Sequence, residues 1–159
     1  GTNAIVAFDG AKADTPNVSP EFMKLLGSRF IAHPANMDFL VRIKDKEHQL
    51  TKDLEDFEVY DEPYYCEFED NLHVLLDAEY SEPSESYVQV DPPNDDPRPQ
   101  MYIHNVGKGN VLYLMLGHCR GKYDMRPFVD EVSVERCAWE TETYYELLRR
   151  GIKWGIGKA

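Results

Sequence analysis

Ala4-Ile5-Val6-Ala7-Phe8 is a short, continuous apolar run that passes straight into Asp9-Gly10-Ala11. An unbroken apolar strand that ends in a small-residue turn suits a buried strand of a parallel sheet, covered on both faces. In open α/β sheets, ligands collect beyond the carboxyl ends of such strands. Ser19-Pro20-Glu21 then reads as a helix start, with Ser as N-cap and Pro at the first helical position. Phe22, Leu25 and Leu26 give that helix a buried stripe, and Gly27 gives it a stop.

Further along, Arg29 to Ala32 is a short apolar stretch ending at His33-Pro34, and Asp38 to Ile43 reads as a strand. Lys44 to Lys52 is a charged loop holding His48. Phe57-Glu58-Val59-Tyr60 alternates as a strand and delivers Asp61-Glu62-Pro63 at its end. Leu72 to Leu76 is another strand, and Ser81 to Pro99, rich in Pro, Ser and Asp, reads as a surface loop with at most one short strand at Tyr87 to Val90. Met101 to His104 and Val111 to Leu116 flank Gly107-Lys108-Gly109 and predict a β-hairpin. Glu140 to Trp154 has helical spacing at Tyr144, Leu147, Leu148 and Ile152, with Thr141 or Thr143 as cap.

The 159 residues suit one domain with a sizeable core. Seventeen basic against 29 acidic side chains leave a net charge of −12, which argues against nucleic acid or an anionic membrane as partner. No apolar run approaches the ~20 residues that span a bilayer. Cys66, Cys119 and Cys137 form no metal-type pair, and their low, odd count suits a reducing compartment, so the expected location is cytoplasmic.

Four strand ends or adjoining loops carry polar groups: Asp9, His33, Asp61-Glu62 and His118. On a shared sheet edge they would converge into a site for acid/base work or for a divalent metal such as zinc, with His33 and His118 as candidate ligands. Each also has a plainer reading. A strand-end Asp or His often only satisfies loop amides, His73 reads as structural, and His104 reads as exposed beside a hairpin turn. Tyr60, Tyr64 and Tyr65 could line a sugar-binding wall or simply pack. Gly-x-Ser-x-Gly is absent, and the apex of the Phe8-Asp9-Gly10-Ala11 elbow is Asp9, so no covalent nucleophile is expected there.

In their order, these pieces resemble the ThuA-like (trehalose utilisation) family, whose fold is similar to class I glutamine amidotransferases. The matching pieces are Val6 to Ala11, Leu26 to Phe30 followed by Ala32-His33-Pro34, Asp45 to Thr51, Leu54 to Phe57 and Asp61-Glu62-Pro63-Tyr64. Gly107 to Tyr113 leading to Leu116-Gly117-His118, and Leu148 to Trp154, complete the match. The family usually shows a His where this chain has Asp9. The stretch after His118 through Cys137 is longer than usual and reads as an added lid or contact surface. The first strands and helices of the family domain read as missing, leaving a single domain over residues 1–159 that is incomplete at its start.

The resemblance implies a flavodoxin-like three-layer α/β sandwich with a mainly parallel central sheet and an added β-hairpin. It implies a role in carbohydrate metabolism, acting on a sugar or keto sugar by acid/base or metal-assisted chemistry, as an isomerase or hydrolase and not as a glutamine amidotransferase. Asp61, Glu62 and His118 are the expected catalytic groups, with Asp9, His33 and Tyr64 as substrate contacts. The alternative is a non-catalytic sugar-binding or assembly module, because an open sheet edge invites pairing with another chain or a second copy.

Overall fold

The computed structural model describes residues 20–86 and 96–158. A short helix, α1 (Pro20–Leu26), leads into β1 (Ser28–His33), β2 (Met37–Ile43), β3 (Phe57–Asp61), β4 (Tyr65–Phe68), β5 (His73–Ala78) and β6 (Glu85–Ser86). The long pair β7 (Arg98–Val106) and β8 (Gly109–Leu114) follows, then a 3-10 turn at Cys137–Glu140 and helix α2 (Glu142–Gly155). The strands form two sheets, ordered β4-β1-β6 and β3-β2-β5-β7-β8.

Every strand pairing among the described residues is antiparallel. This corrects the expected flavodoxin-like sandwich with a mainly parallel sheet. The physical reason lies in the connections. Parallel neighbours need a crossover of a dozen or more residues, usually a helix. Here β1 reaches β2 through residues 34–36, β3 reaches β4 through 62–64, and β4 reaches β5 through 69–72. Burial alternates along β3, as in a sheet with one face packed and one wet. The run Ala4–Phe8 and its Asp9 elbow, read as one buried parallel strand, lie outside the described residues, as does Tyr87 to Val90. The expected hairpin is present as β7 and β8, paired from Met101↔Leu114 to Val106↔Gly109.

Each of these three short connections carries the chain from one sheet to the other, and two of them lie together. Residues 34–36 pass from β1 of the three-stranded sheet to β2 of the five-stranded sheet, and residues 62–64 pass back from β3 to β4. The two crossings are neighbours, because Met37 at the start of β2 pairs with Asp61 at the end of β3. His33 and Glu62 therefore sit side by side, although 29 positions separate them in sequence.

The core fills the space between the sheets with Ile31, Val41, Leu75, Leu76, Tyr102 and Tyr113, each burying side-chain area worth roughly 1.5–3 kcal/mol. The rings of Tyr102 and Tyr113 stack 7° from parallel with centroids 5.3 Å apart. The Tyr102 hydroxyl donates to the Leu26 carbonyl at 2.9 Å and pairs with Ser28 Oγ at 2.8 Å, which ties β7 to the end of α1. Helix α1 stops at Gly27, whose φ of +86° and close approach to Leu72 and His104 leave no room for a side chain. His104 is buried rather than exposed, because its Nε2 donates to the Lys24 carbonyl at 2.7 Å.

Helix α2 begins two residues later than its periodicity predicts. Thr141 holds the N-cap position without a side-chain cap bond. Tyr144, Leu147 and Gly151 form the buried stripe, while Ile152 faces solvent. Arg150 donates from Nη1 to the Lys52 carbonyl at 2.7 Å, anchoring the helix on the loop after β2.

Candidate functional site

Asp61 and Glu62 close β3 and open the crossing to β4, where alternation sends their side chains in different directions. Asp61 is 1% exposed and points along the end of the sheet. Its Oδ2 accepts the Gly117 N–H at 2.7 Å, and its Oδ1 accepts the N–H groups of Glu62 at 2.9 Å and His118 at 3.1 Å. Burial pushes the Asp61 carboxyl up to about 6, against the pull of these three donors. With both oxygens spent on backbone amides, Asp61 fixes the turn that carries His118.

Gly117 fits this turn for two reasons. Its φ is +116°, and a Cβ there would lie 2.2 Å from the Tyr144 hydroxyl. On its other side, the Trp139 indole N–H donates to the Gly117 carbonyl at 3.0 Å. The 3-10 turn that holds Trp139 starts at Cys137, whose φ of +43° is a conformation that side chains disfavour. Asn36 lies with its Nδ2 3.6 Å from Cys137 Sγ, and burial pushes the Cys137 thiol up to about 12. A thiol held that high is protonated at neutral pH and is a poor nucleophile.

Glu62 is the centre of the site. It is 9% exposed, and its two oxygens face two imidazoles: Oε1 lies 3.1 Å from His33 Nδ1, and Oε2 lies 3.1 Å from His118 Nδ1. The Tyr64 hydroxyl also hydrogen-bonds Glu62. Burial pushes the Glu62 carboxyl up, but the bond with His118 and the charges of His33 and His118 outweigh it and leave it below the ordinary value. Burial and the Glu62 charge raise the Tyr64 phenol far above its ordinary range, so it stays a neutral donor.

The two imidazoles differ. His33 Nδ1 faces two acceptors, Glu62 Oε1 and the Pro34 carbonyl at 2.8 Å, so Nδ1 carries the hydrogen. In the neutral ring Nε2 is then the accepting nitrogen. His118 faces carboxylates at both nitrogens, with Glu135 Oε2 3.1 Å from Nε2. The hydrogen bond to Glu62 raises the His118 pKa most; burial opposes it, and the Glu62 charge and the Glu135 bond add to the rise. His118 is thus an imidazolium held between two carboxylates.

The structure brings Asp61, Glu62, His33, Tyr64 and His118 together. Asp9 lies outside the described residues. Tyr60, on the face of β3 opposite Asp61, is exposed, and Tyr65 is buried against Tyr80. Glu135 was not anticipated. It sits at the far end of the polar stretch after His118, and it returns only because Arg120 and Glu135 pair as an antiparallel bridge. The spacing of an acidic residue 17 positions from His118 carries no signal of that return.

Among the described residues, the two candidate ligands His33 and His118 are engaged with carboxylates. Both candidate imidazoles turn Nδ1 to Glu62, and the second nitrogen of His118 is engaged by Glu135. Among the described residues no group of three or more His, Cys, Asp and Glu side chains is placed to hold an ion. No described helix is long and apolar enough to cross a membrane.

A family model described as ThuA, trehalose utilisation, matches residues 1–134. Among solved structures, the chain is similar to a protein described as ThuA-like from Parabacteroides merdae ATCC 43184, at 19% identity and a TM-score of 0.59, over 85% of this chain and 54% of that one. It is similar also to a ThuA-like protein from Bacteroides uniformis ATCC 8492, at 22% identity and a TM-score of 0.57, over 89% of this chain and 53% of that one. The chain spans about half the length of these two proteins. At such identities the likeness speaks for the fold alone. No curated protein matches.

Proposed function

Because this chain belongs to the ThuA (trehalose utilisation) family, we propose that it acts on a sugar or keto sugar by moving protons through two imidazoles, His33 and His118, that flank one carboxylate. The family supplies the carbohydrate link. The observation that carries the chemistry is the Glu62 bridge, with one oxygen 3.1 Å from each ring.

The same carboxylate meets both rings at Nδ1, and the rings differ in their other neighbours. At His33 it helps, with the Pro34 carbonyl, to fix a hydrogen on Nδ1. Against His118 it keeps the ring charged and protonated. Two imidazoles on one carboxylate can share the two halves of a proton transfer, one taking a proton and the other giving one. His33 Nε2 takes a proton from the carbon beside a sugar carbonyl, or from a water. His118 Nε2 gives its proton to the carbonyl or leaving oxygen. Glu62 and Asp61 act behind the imidazoles, Glu62 by charge and Asp61 by holding the 117–118 backbone.

The test follows solvent deuterium entering the carbon beside the carbonyl in a panel of aldoses and ketoses, by NMR. The expected result is exchange with at least one sugar, slowed about 100-fold or more in His33→Gln and in His118→Gln, the usual weight of a general acid or base. Exchange and hydrolysis no faster than in buffer across the panel would sink the catalytic reading. Saturable sugar binding without turnover would assign the site to a binding module instead, a reading favoured by Glu135 standing on His118 Nε2.

A further inference from the structure

His118 Nε2 is the nitrogen that the acid/base reading sends to substrate, yet a carboxylate of the chain itself already stands on it. Glu135 Oε2 lies 3.1 Å from His118 Nε2 and 3.7 Å from Arg120 Nη1, so one carboxylate oxygen is held between two cationic groups. We propose that this seat, between His118 and Arg120, is the place of a ligand carboxylate, and that the sugar bound here is a sugar acid. The carbohydrate half rests on the family link above; a carboxylate seated on Nε2 makes His118 an anchor for the ligand, in place of the proton donor of the acid/base reading, and that half rests on this geometry.

Three observations support the exchange. First, the Glu135 side chain is 28% exposed, while its backbone is pinned by two bonds with Arg120, N–H to carbonyl in both directions at 2.9 and 3.0 Å. The side chain can therefore swing out without opening the neck of the loop. Second, the stretch between these residues stands apart. Its backbone bonds Asp124 to Gly121, Arg126 to Tyr123 and Val132 to Lys122, the Lys122–Glu131 pair at 3.0 Å, and the Arg126 bond to Asp130 all close within residues 121–134. None of those bonds holds the Glu135 side chain in place.

Third, the charges match. His118 is faced by Glu62 from the β3 crossing and by Glu135 from the neck, with Asp61 below and Arg120 beside Glu135. Once Glu135 turns away, Glu62 stays bound to His33 and to His118 Nδ1, so it cannot neutralise Arg120. A neutral hydroxyl could accept one bond from Nε2 but would leave the guanidinium without its counter-charge. A carboxylate answers both groups, as Glu135 does.

The experiment uses Glu135→Gln, with Glu135→Ala as a second variant should the amide disturb the neck. The probes are acetate, D-glucuronate and D-glucose at fixed ionic strength, read by calorimetry and by the His118 ring resonances. The expected result is saturable acetate binding that shifts the His118 ring in the variants and is at least tenfold weaker in wild type. Glucuronate should gain tenfold or more in the variants while glucose does not, and Arg120→Gln added to either variant should cancel the gain. Acetate that leaves the His118 ring unmoved in folded variants, or a gain shared equally by glucose, overturns the proposal. Acetate binding without glucuronate binding keeps the carboxylate seat and removes the sugar reading alone.

Discussion

Asp61 Oδ2 accepts the backbone N–H of Gly117 at 2.7 Å, and that bond joins the two outer edges of one sheet. Asp61 ends β3 and Gly117 follows β8, the first and last strands of the five-stranded order. The sheet therefore curls until its edges meet at the site. An amide at position 61 would set its NH2 against one of the three backbone donors. Asp61→Asn should cost about 1–3 kcal/mol, the usual penalty for a buried donor left unpaired, as read by urea unfolding at pH 7.

The same carboxyl gives a pH signature. Its pKa rises on folding from 3.8 to about 6, so between those values the native chain holds a proton that the unfolded chain has lost. The contribution of Asp61 to stability is greatest below the lower value and declines as pH rises to the upper one, by about 3 kcal/mol in all. Carboxyls with lowered values, such as Glu62, act in the opposite sense. The quantity to measure is therefore the stability of wild type minus that of Asp61→Asn at pH 4 and pH 7. A difference that does not fall between them would contradict the burial argument.

His118 is expected to titrate above 6.5 because Glu62 and Glu135 hold its charged form. The stability this adds is complete below 6.5 and disappears as pH climbs through the folded value. Following the imidazole Cε1–H by NMR in wild type and in Glu62→Gln checks it. The variant should titrate lower, and an unchanged midpoint would mean that the Glu62 contact contributes nothing in solution.

Gly117→Ala places a methyl 2.2 Å from the Tyr144 hydroxyl at a φ of +116°. The conformation alone costs about 1–3 kcal/mol, and the overlap adds to it. A loss of about 3 kcal/mol or more is expected in denaturant unfolding. Tyr144→Phe in the same chain should restore part of it, because the oxygen leaves but the ring carbon at 2.9 Å remains.

Arg98 is buried at the start of β7, with its guanidinium 4.7 Å from the Tyr65 ring centroid and 5.0 Å from that of Tyr80. It donates to the Tyr80 carbonyl at 2.6 Å and pairs with Asp96. Arg98→Ala should destabilise the chain by about 3 kcal/mol, because it removes a buried guanidinium packed on two rings and leaves the Tyr80 carbonyl without its donor. Arg98→Lys should recover less than half of this, since an ammonium cannot stack on two rings.

The clustering of three of the four predicted polar positions was legible in the sequence, while Asp9 lies outside the described residues. A polar pair at the end of an alternating strand (Asp61-Glu62), and an imidazole at each of two other strand ends (His33 and His118), are local patterns. The structure gathers all of them. Which sheet each strand joins is not local. The apolar run Ala4–Phe8 suggested a parallel frame, whereas the three-residue links at 34–36 and 62–64 already limit β1 to β4 to antiparallel or sheet-changing neighbours. His104 was misjudged because a histidine near a hairpin turn gains burial from α1, which is 80 positions away. Glu135 depends in the same way on a loop folding back on itself, and no periodicity records that.

Trp139 has a further consequence. The chain holds two tryptophans, and the indole N–H of this one rests on the Gly117 carbonyl, next to His118 and on the turn that Asp61 fixes. Any ligand that shifts this turn alters the polar surroundings of the ring. The chain thus carries a built-in fluorophore, and Trp154→Phe would leave a single emitter whose intensity and wavelength report the state of the site without a label.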